Sequence, residues 1–330
     1  MNTSATSTSP AHVAVMGSFN VDHVWRCDAL PAAGATIAGK YSFGPGGKGF
    51  NQAVAAARAG AATVFVCALG DDAGGALARS LAAANKIDLR VQACEEPTGT
   101  AGIYVDAHGR NSIVVGAGAN AALTAEFLEQ QQATIASAGA LLAQLESPVE
   151  SVAAALQLAR LNGVTTVLNP APANAGTSTD LLALADIITP NETEFAALLA
   201  RHLGERIESD QVATSDVQTL HNFCRQLFPH GTVVVTLGGT GVFVSHPEMA
   251  LRGDARANYR APAEAANVVD TTGAGDAFNG ALAASLANNP AAAFSQHVRF
   301  ASRYAALSTE NLGAALAMPA LADVQSRYAD

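Results

Sequence analysis

Basic residues are scarce in this chain. Lys and Arg number 18 against 28 Asp and Glu, a formal charge of −10. That balance argues against a nucleic-acid partner. An anionic ligand must then be held by backbone amides and a metal, not by a basic surface. Cysteine is also sparse: Cys27, Cys67, Cys94 and Cys224 show no Cys-x-x-Cys spacing. The common zinc and dithiol motifs are excluded, and a reducing compartment is expected. Cys67 lies in an apolar run and reads as core. No apolar run approaches the ~20 residues of a membrane helix. Residues 1–10 are rich in Ser and Thr and lack the apolar stretch of a signal peptide. Residues 1–11 therefore read as a disordered tail, and a cytoplasmic location is expected.

Two nucleotide-binding signatures are missing as well. The stretch from Gly34 to Gly39-Lys40 has Walker A spacing, but Tyr41 stands where a hydroxyl for Mg²⁺ is needed, and no helix pattern follows. The first apolar run, Val13-Ala14-Val15-Met16, is not followed by Gly-x-Gly-x-x-Gly, so an NAD-binding Rossmann enzyme lacks its fingerprint. No internal repeat and no low-complexity linker is visible.

What is present is a core-forming composition. Hydrophobic residues make up 49% of 330, enough for one large α/β domain. From about residue 140, short apolar runs alternate with helical patterns: strands at 141–145, 164–168, 186–188 and 233–237, helices at 149–162 and 191–201. A hairpin partner for the last strand follows at 241–245. Such alternation predicts a doubly wound, mostly parallel sheet flanked by helices. Earlier, a strand is expected at 63–68 and helices at 47–60 and 72–85. Residues 22–45 and 99–117 are more polar, and the second contains a hairpin around Asp106–Arg110. They are expected to form a small antiparallel sheet outside the main one. Residues 205–218 read as a polar surface segment.

The segment with most chemical content is Asp270-Thr271-Thr272-Gly273-Ala274-Gly275-Asp276. Ala266–Val269 before it reads as a short strand, and Asp276–Ala287 after it as a helix. A glycine turn into a helix N-terminus offers the N–H groups of Gly273, Ala274 and Gly275 at the positive end of the dipole. Asp276 stands beside them as a base. That pairing suits phosphoryl transfer to an alcohol; it also fits a plain helix N-cap. Asn20 and Asp22 follow the first strand, where an open α/β sheet binds ligands, and can exchange hydrogen bonds with sugar hydroxyls; a simple turn explains them equally. Gly44–Asn51 is a glycine-rich turn into a helix. Asn191 and Glu194 share one helix face, suited to phosphates and hydrated Mg²⁺ or to a capping box.

These motifs and their order resemble the ribokinase-like (PfkB) carbohydrate kinases from about Val13 to Pro319. Gly17–His23, Gly46-Gly47-Lys48-Gly49-Phe50-Asn51-Gln52, Leu168–Ala173 and Ile188–Glu194 are similar to the ribose-phosphorylating branch. The resemblance implies a kinase fold over residues 12–330 with a β lid at 22–45 and 99–117, often the dimer interface. It implies ATP-dependent phosphorylation of D-ribose at O5. Deoxyribose, another sugar or a nucleoside is the alternative, and a non-catalytic sugar-binding member a remote one. By the same resemblance, Asn20, Asp22, Gly46, Gly47, Lys48, Asn51, Glu146 and Asp276 hold the sugar. Glu146 is placed at a strand end. Asn191, Glu194, Thr236, Gly238, Gly239, Gly241 and Gly275 hold ATP with Mg²⁺. K⁺ is implied at Asp270, Thr272, Ser308, Asn311 and Gly313, although Ala317 replaces a side-chain oxygen there. The long segment 247–262 is placed near the adenine. A homodimer through the lid strands is expected.

Overall fold

The computed structural model describes residues 11–173 and 176–329. The expected tail lies outside these residues but for Ala11. β1 (His12–Met16) is a central strand of a nine-stranded sheet. Val13 and Val15 face one core and Ala14 and Met16 the other. Burial on both faces is why the strand reads as an unbroken apolar run. β2 (Asn20–Arg26) and β3 (Lys40–Gly46) leave this sheet. β4 (Thr63–Gly70) and β5 (Asp88–Cys94) return to one side of β1. β6 (Gly99–Val105) and β7 (Asn111–Gly116) leave it again. β8 (Ala138–Ala143), β9 (Thr165–Leu168), β10 (Ile187–Ile188) and β11 (Thr232–Thr236) then extend the sheet on the other side of β1. β12 (Val242–Ser245) and β13 (Asn258–Ala261) close that edge.

The order is β13-β12-β11-β10-β9-β8-β1-β4-β5. Every neighbouring pair from β5 across to β11 is parallel, and β12 alone runs against the rest, antiparallel to both β11 and β13. The chain runs outward from β1 to β4 and β5, then crosses back to β8 and outward the other way. The connections beyond β1 and β8 diverge, which opens a crevice at their carboxyl ends. This is the doubly wound sheet expected from the alternation.

The smaller sheet has the order β3-β2-β6-β7. Its outer pairs are antiparallel, as expected, and the middle pair β2–β6 is parallel, with Asn20 opposite Gly99. β3 begins at Lys40, where a phosphate-binding loop would instead run into a helix, so the stretch with Walker A spacing forms no phosphate loop.

Helices Lys48–Arg58, Ala274–Asn288 and Phe294–Ser308 cover one face of the large sheet. The first two meet at Gly280, where a Cβ would strike the carbonyl of Gln52 and the Cβ of Ala55.

Two local expectations are corrected, and a third, the polar surface segment at 205–218, holds, with helices in it. Residues 266–269 form no strand; Val268 and Val269 are exposed, the Asn267 N–H donates to Glu310 Oε1, and the Val269 and Asp270 N–H groups donate to the Thr309 carbonyl. Glu146 lies three residues beyond β8, not at its end. The polar segment 205–218 carries the helix Ser209–Val212 and the start of the helix Val217–Leu227.

Candidate active site

Gly273 caps the Ala274–Asn288 helix in a left-handed conformation, φ 76°. A Cβ there would collide with Ala314, so glycine is required both for its φ and for space. Gly275 faces open space. The Ala274 N–H donates to the Thr271 carbonyl at 3.1 Å and closes the turn. Of the three expected anion-hole donors it is therefore engaged, and Gly273 and Gly275 stand at the helix mouth.

Asp276 is in the first helical turn and buried. Its Oδ2 accepts from Asn51 Nδ2 and its Oδ1 from Gln52 Nε2, both at 2.9 Å. Burying a lone carboxylate costs several kcal/mol. Hydrogen bonds to a charged group return about 1.5–3 kcal/mol each, so the two amides offset much of that cost. Burial still raises the Asp276 carboxyl above its ordinary range, against the pull of Lys48, Asn51 and Gln52.

Lys48 opens the helix that carries Asn51 and Gln52. Gly47 caps it at φ 86°, its Cβ position 2.8 Å from the backbone of Phe19 and Asn20. Burial works to lower the Lys48 ammonium, but Asp276, Glu146 and Glu194 outweigh it and the group stays charged. Glu146 Oε2 accepts from Ser18 Oγ at 2.6 Å and from the Lys48 N–H at 2.9 Å. Asp22 lies against Gly46, where a Cβ would overlap its carboxylate. Burial first, then Glu146 and Asp276, push Asp22 up to about 7. Asn20 is buried, its Oδ1 held by Asn120 Nδ2 at 2.8 Å. Asn51 and Lys48 thus meet Asp276, Glu146 meets Lys48, and Asp22 lies within the field of both carboxylates. Asn51 Oδ1 is buried without a partner, an acceptor for a ligand hydroxyl.

Next to this chamber is a polar cavity of about 150 Å³ bordered by Lys48, Asn191, Glu194, Thr236, Gly275 and Asp276. Asn191 and Glu194 form a complete capping box: Asn191 Oδ1 accepts the Glu194 N–H at 2.8 Å, and Glu194 Oε2 the Asn191 N–H at 2.9 Å. The box and a ligand role coexist, because Glu194 borders the cavity while capping. Burial raises the Glu194 carboxyl, opposed by the Asn191 N–H and Lys48.

Across Thr271, Ala274 and Gly275 the cavity continues into a larger, mostly apolar cleft of about 680 Å³. Val242, Ala265, Val268, Phe278 and Ala305 supply apolar walls, and Gly238, Gly239 and Gly241 one edge. Gly241 has φ 100° and its Cβ would strike the carbonyl of Ala261. Residues just after the 247–262 segment, Ala263–Ala266, line the cleft; the segment itself supplies β13.

Asp270 binds the Thr272 and Gly313 N–H groups, each at 2.9 Å. Burial pushes its carboxyl up, but these bonds hold it below the ordinary range. The two loops of the expected cation site are thus tied together. Ser308 Oγ is turned back onto the Ala305 carbonyl at 2.8 Å. Among the described residues no group of three or more His, Cys, Asp or Glu is placed to hold a metal.

Sequence reasoning missed Ser18, Gln52, Asn120 and Asn169. Gln52 directly follows Asn51, and Asn169 lies in the Leu168–Ala173 motif. Their signal was present, but their partners are distant in the chain.

A buried carboxylate beside a helix mouth, set between a polar chamber and an apolar cleft, is an arrangement suited to a kinase of small polyols or sugars. The sequence pattern of the pfkB family carbohydrate kinases matches residues 10–321, and the chain belongs to that family. It is 39% identical to a ribokinase of Haemophilus influenzae over 92% of this chain and 94% of that protein. It is 38% identical to a Mus musculus ribokinase over 94% and 92%. The structure of Arabidopsis thaliana ribokinase complexed with ribose and ATP superposes with a TM-score of 0.83 at 28% identity, covering 96% of this chain and 98% of that one.

Proposed function

We propose that the chain is an ATP-dependent ribokinase, converting D-ribose to D-ribose 5-phosphate. The observation that carries this reading is the placement of Asp276: buried, held by two amides, and adjacent to the helix mouth between chamber and cleft. Asn20, Asp22, Gly46, Gly47, Lys48, Asn51 and Glu146 hold the sugar so that its C5 hydroxyl reaches Asp276. Asp276 takes the hydroxyl proton while O5 bonds to the γ-phosphorus and the bond to the ADP oxygen breaks. The Gly273 and Gly275 N–H groups and Lys48 stabilise the charge on the transferring group.

The apolar cleft suits a purine, with Thr236, Gly238, Gly239 and Gly241 at the nucleotide. The oxygen donors of Asn191 and Glu194 fit a hydrated Mg²⁺, a hard ion that keeps much of its water. When bound, that ion supplies charge neutralisation on the phosphates. We place K⁺ at the loops joined by Asp270, with Thr272, Ser308, Asn311 and Gly313, where main-chain carbonyls would supply the oxygen donors this ion takes. The lid strands are the surface through which we place a homodimer: Tyr41, Phe43, Ile113, Val114 and Val115 are exposed there.

A coupled ADP-release assay with ribose, deoxyribose, fructose and adenosine, each with and without K⁺, tests this reading. Turnover is expected on ribose far above the others, and stimulated by K⁺. Preference for another acceptor would overturn the sugar assignment, and K⁺ independence the cation site.

A further inference from the structure

Sugar and phosphate binding leave the Gln52 amide unexplained. Its side chain is fully buried beside Asp276. Gln52 Nε2 donates to Asp276 Oδ1 at 2.9 Å and to Asn169 Oδ1 at 3.1 Å. Gln52 Oε1 accepts from Gln144 Nε2 at 2.5 Å. Asn169 Nδ2 in turn donates to the Thr189 carbonyl at 2.9 Å.

The direction of this chain is forced. A carbonyl only accepts, so Asn169 must turn its nitrogen to Thr189 and its oxygen to Gln52. Gln52 must then turn its nitrogen to both Asn169 and Asp276, and its oxygen to Gln144. One main-chain carbonyl just beyond β10 thereby decides that Asp276 meets a donor. Two glycines make room for the arrangement. A Cβ at Gly17 would overlap Gln144 Oε1, and one at Gly280 would strike the main-chain carbonyl of Gln52 and push its helix away.

We propose that Gln52 is a positioning residue that holds Asp276 oriented and ionised, ready to receive the acceptor hydroxyl's proton. The proposal rests on the kinase reading above. Both carboxylate oxygens of Asp276 face amide N–H donors, and the locked Gln52 amide cannot turn its oxygen to accept a proton from the acid. Lys48 also favours the ionised form. Burial opposes it, as do Glu146, Asp22 and Glu194. Without the Gln52 donor those opposing influences gain, and Asp276 holds its proton to higher pH.

Gln52→Met keeps the side-chain length and removes the donor. Carboxyl-carbon NMR of the full chain, with Asp276→Asn to assign the signal, follows the Asp276 titration without substrate. ADP release follows kcat against pH. The Asp276 midpoint and the acid limb of kcat should both rise by about one pH unit or more. The ribose KM should change less than about threefold. Asn169→Ala, which frees the Gln52 amide to rotate, should shift both in the same direction by less, and serves if Gln52→Met does not fold. A lower melting temperature with an unmoved Asp276 midpoint in either folded variant would overturn the proposal. Wild-type protein inactive on ribose would instead fail the kinase reading, and the NMR midpoint would still decide the role of Gln52.

Discussion

Asp22 and Asp276 are both pushed upward by burial, yet their surroundings differ. Asp276 has two amide donors and Lys48 to keep it ionised. Asp22 has burial, Glu146 and Asp276 against it and reaches about 7. In the unfolded chain Asp22 ionises near pH 4. Between about pH 4 and about 7 the unfolded chain therefore binds fewer protons than the fold. The stability contribution of this group falls as pH rises through that window and is level above it. Sugar hydroxyls donate more strongly to a carboxylate than to a neutral acid. Ribose affinity should then increase from pH 6 to pH 8, with proton release on binding. Calorimetry in buffers of different ionisation heat measures both. Asp22→Asn should bind more weakly and lose the pH dependence; an unchanged pH dependence would remove Asp22 from the sugar site.

The helices Lys48–Arg58 and Ala274–Asn288 work as one element. Asn51 and Gln52 reach Asp276 because Gly280, one turn beyond Asp276, lets the helices touch. Gly280→Ala should force them apart, lowering stability by about 1–3 kcal/mol and kcat more than the ribose KM. Thermal melting and steady-state kinetics check this; a normal kcat would show that the contact is packing alone. The helix containing Asp276 was legible because a glycine turn followed by an Ala-rich run is a local signal. So were β1 and β4, whose two buried faces leave continuous apolar runs. β5 was not: Asp88, Leu89, Arg90 and Val91 lie on a half-exposed edge. The helix Val217–Leu227 was obscured because its buried stripe of Leu220, His221, Cys224 and Leu227 includes a His and a Cys in place of strong hydrophobes. Val268 and Val269 misled in the opposite sense. They carry β propensity, but no neighbouring strand is there to use it.

At the scale of the molecule, the site exists only because distant pieces converge. The small sheet brings Asn20 and Asp22, the switch point of the large sheet brings Ser18 and Glu146, and the Ala274–Asn288 helix brings Asp276. Motif order announced the convergence. The parallel β2–β6 pairing and the directed Gln144–Gln52–Asn169 chain were not legible, since each depends on residues some 80 to 120 positions apart. The exposed apolar lid surface makes a prediction of its own. Light scattering should show a dimer, and Val114→Asp, at a residue 68% exposed, should yield a folded monomer. A wild-type monomer would contradict the lid interface. The proposed reaction depends above all on Asp276 as the base. The most direct measurement is kcat of Asp276→Asn together with its ribose Kd by calorimetry. We expect kcat to fall by about 10² to 10⁴ while ribose binding is largely kept. Near-normal turnover with ribose still bound would contradict the mechanism.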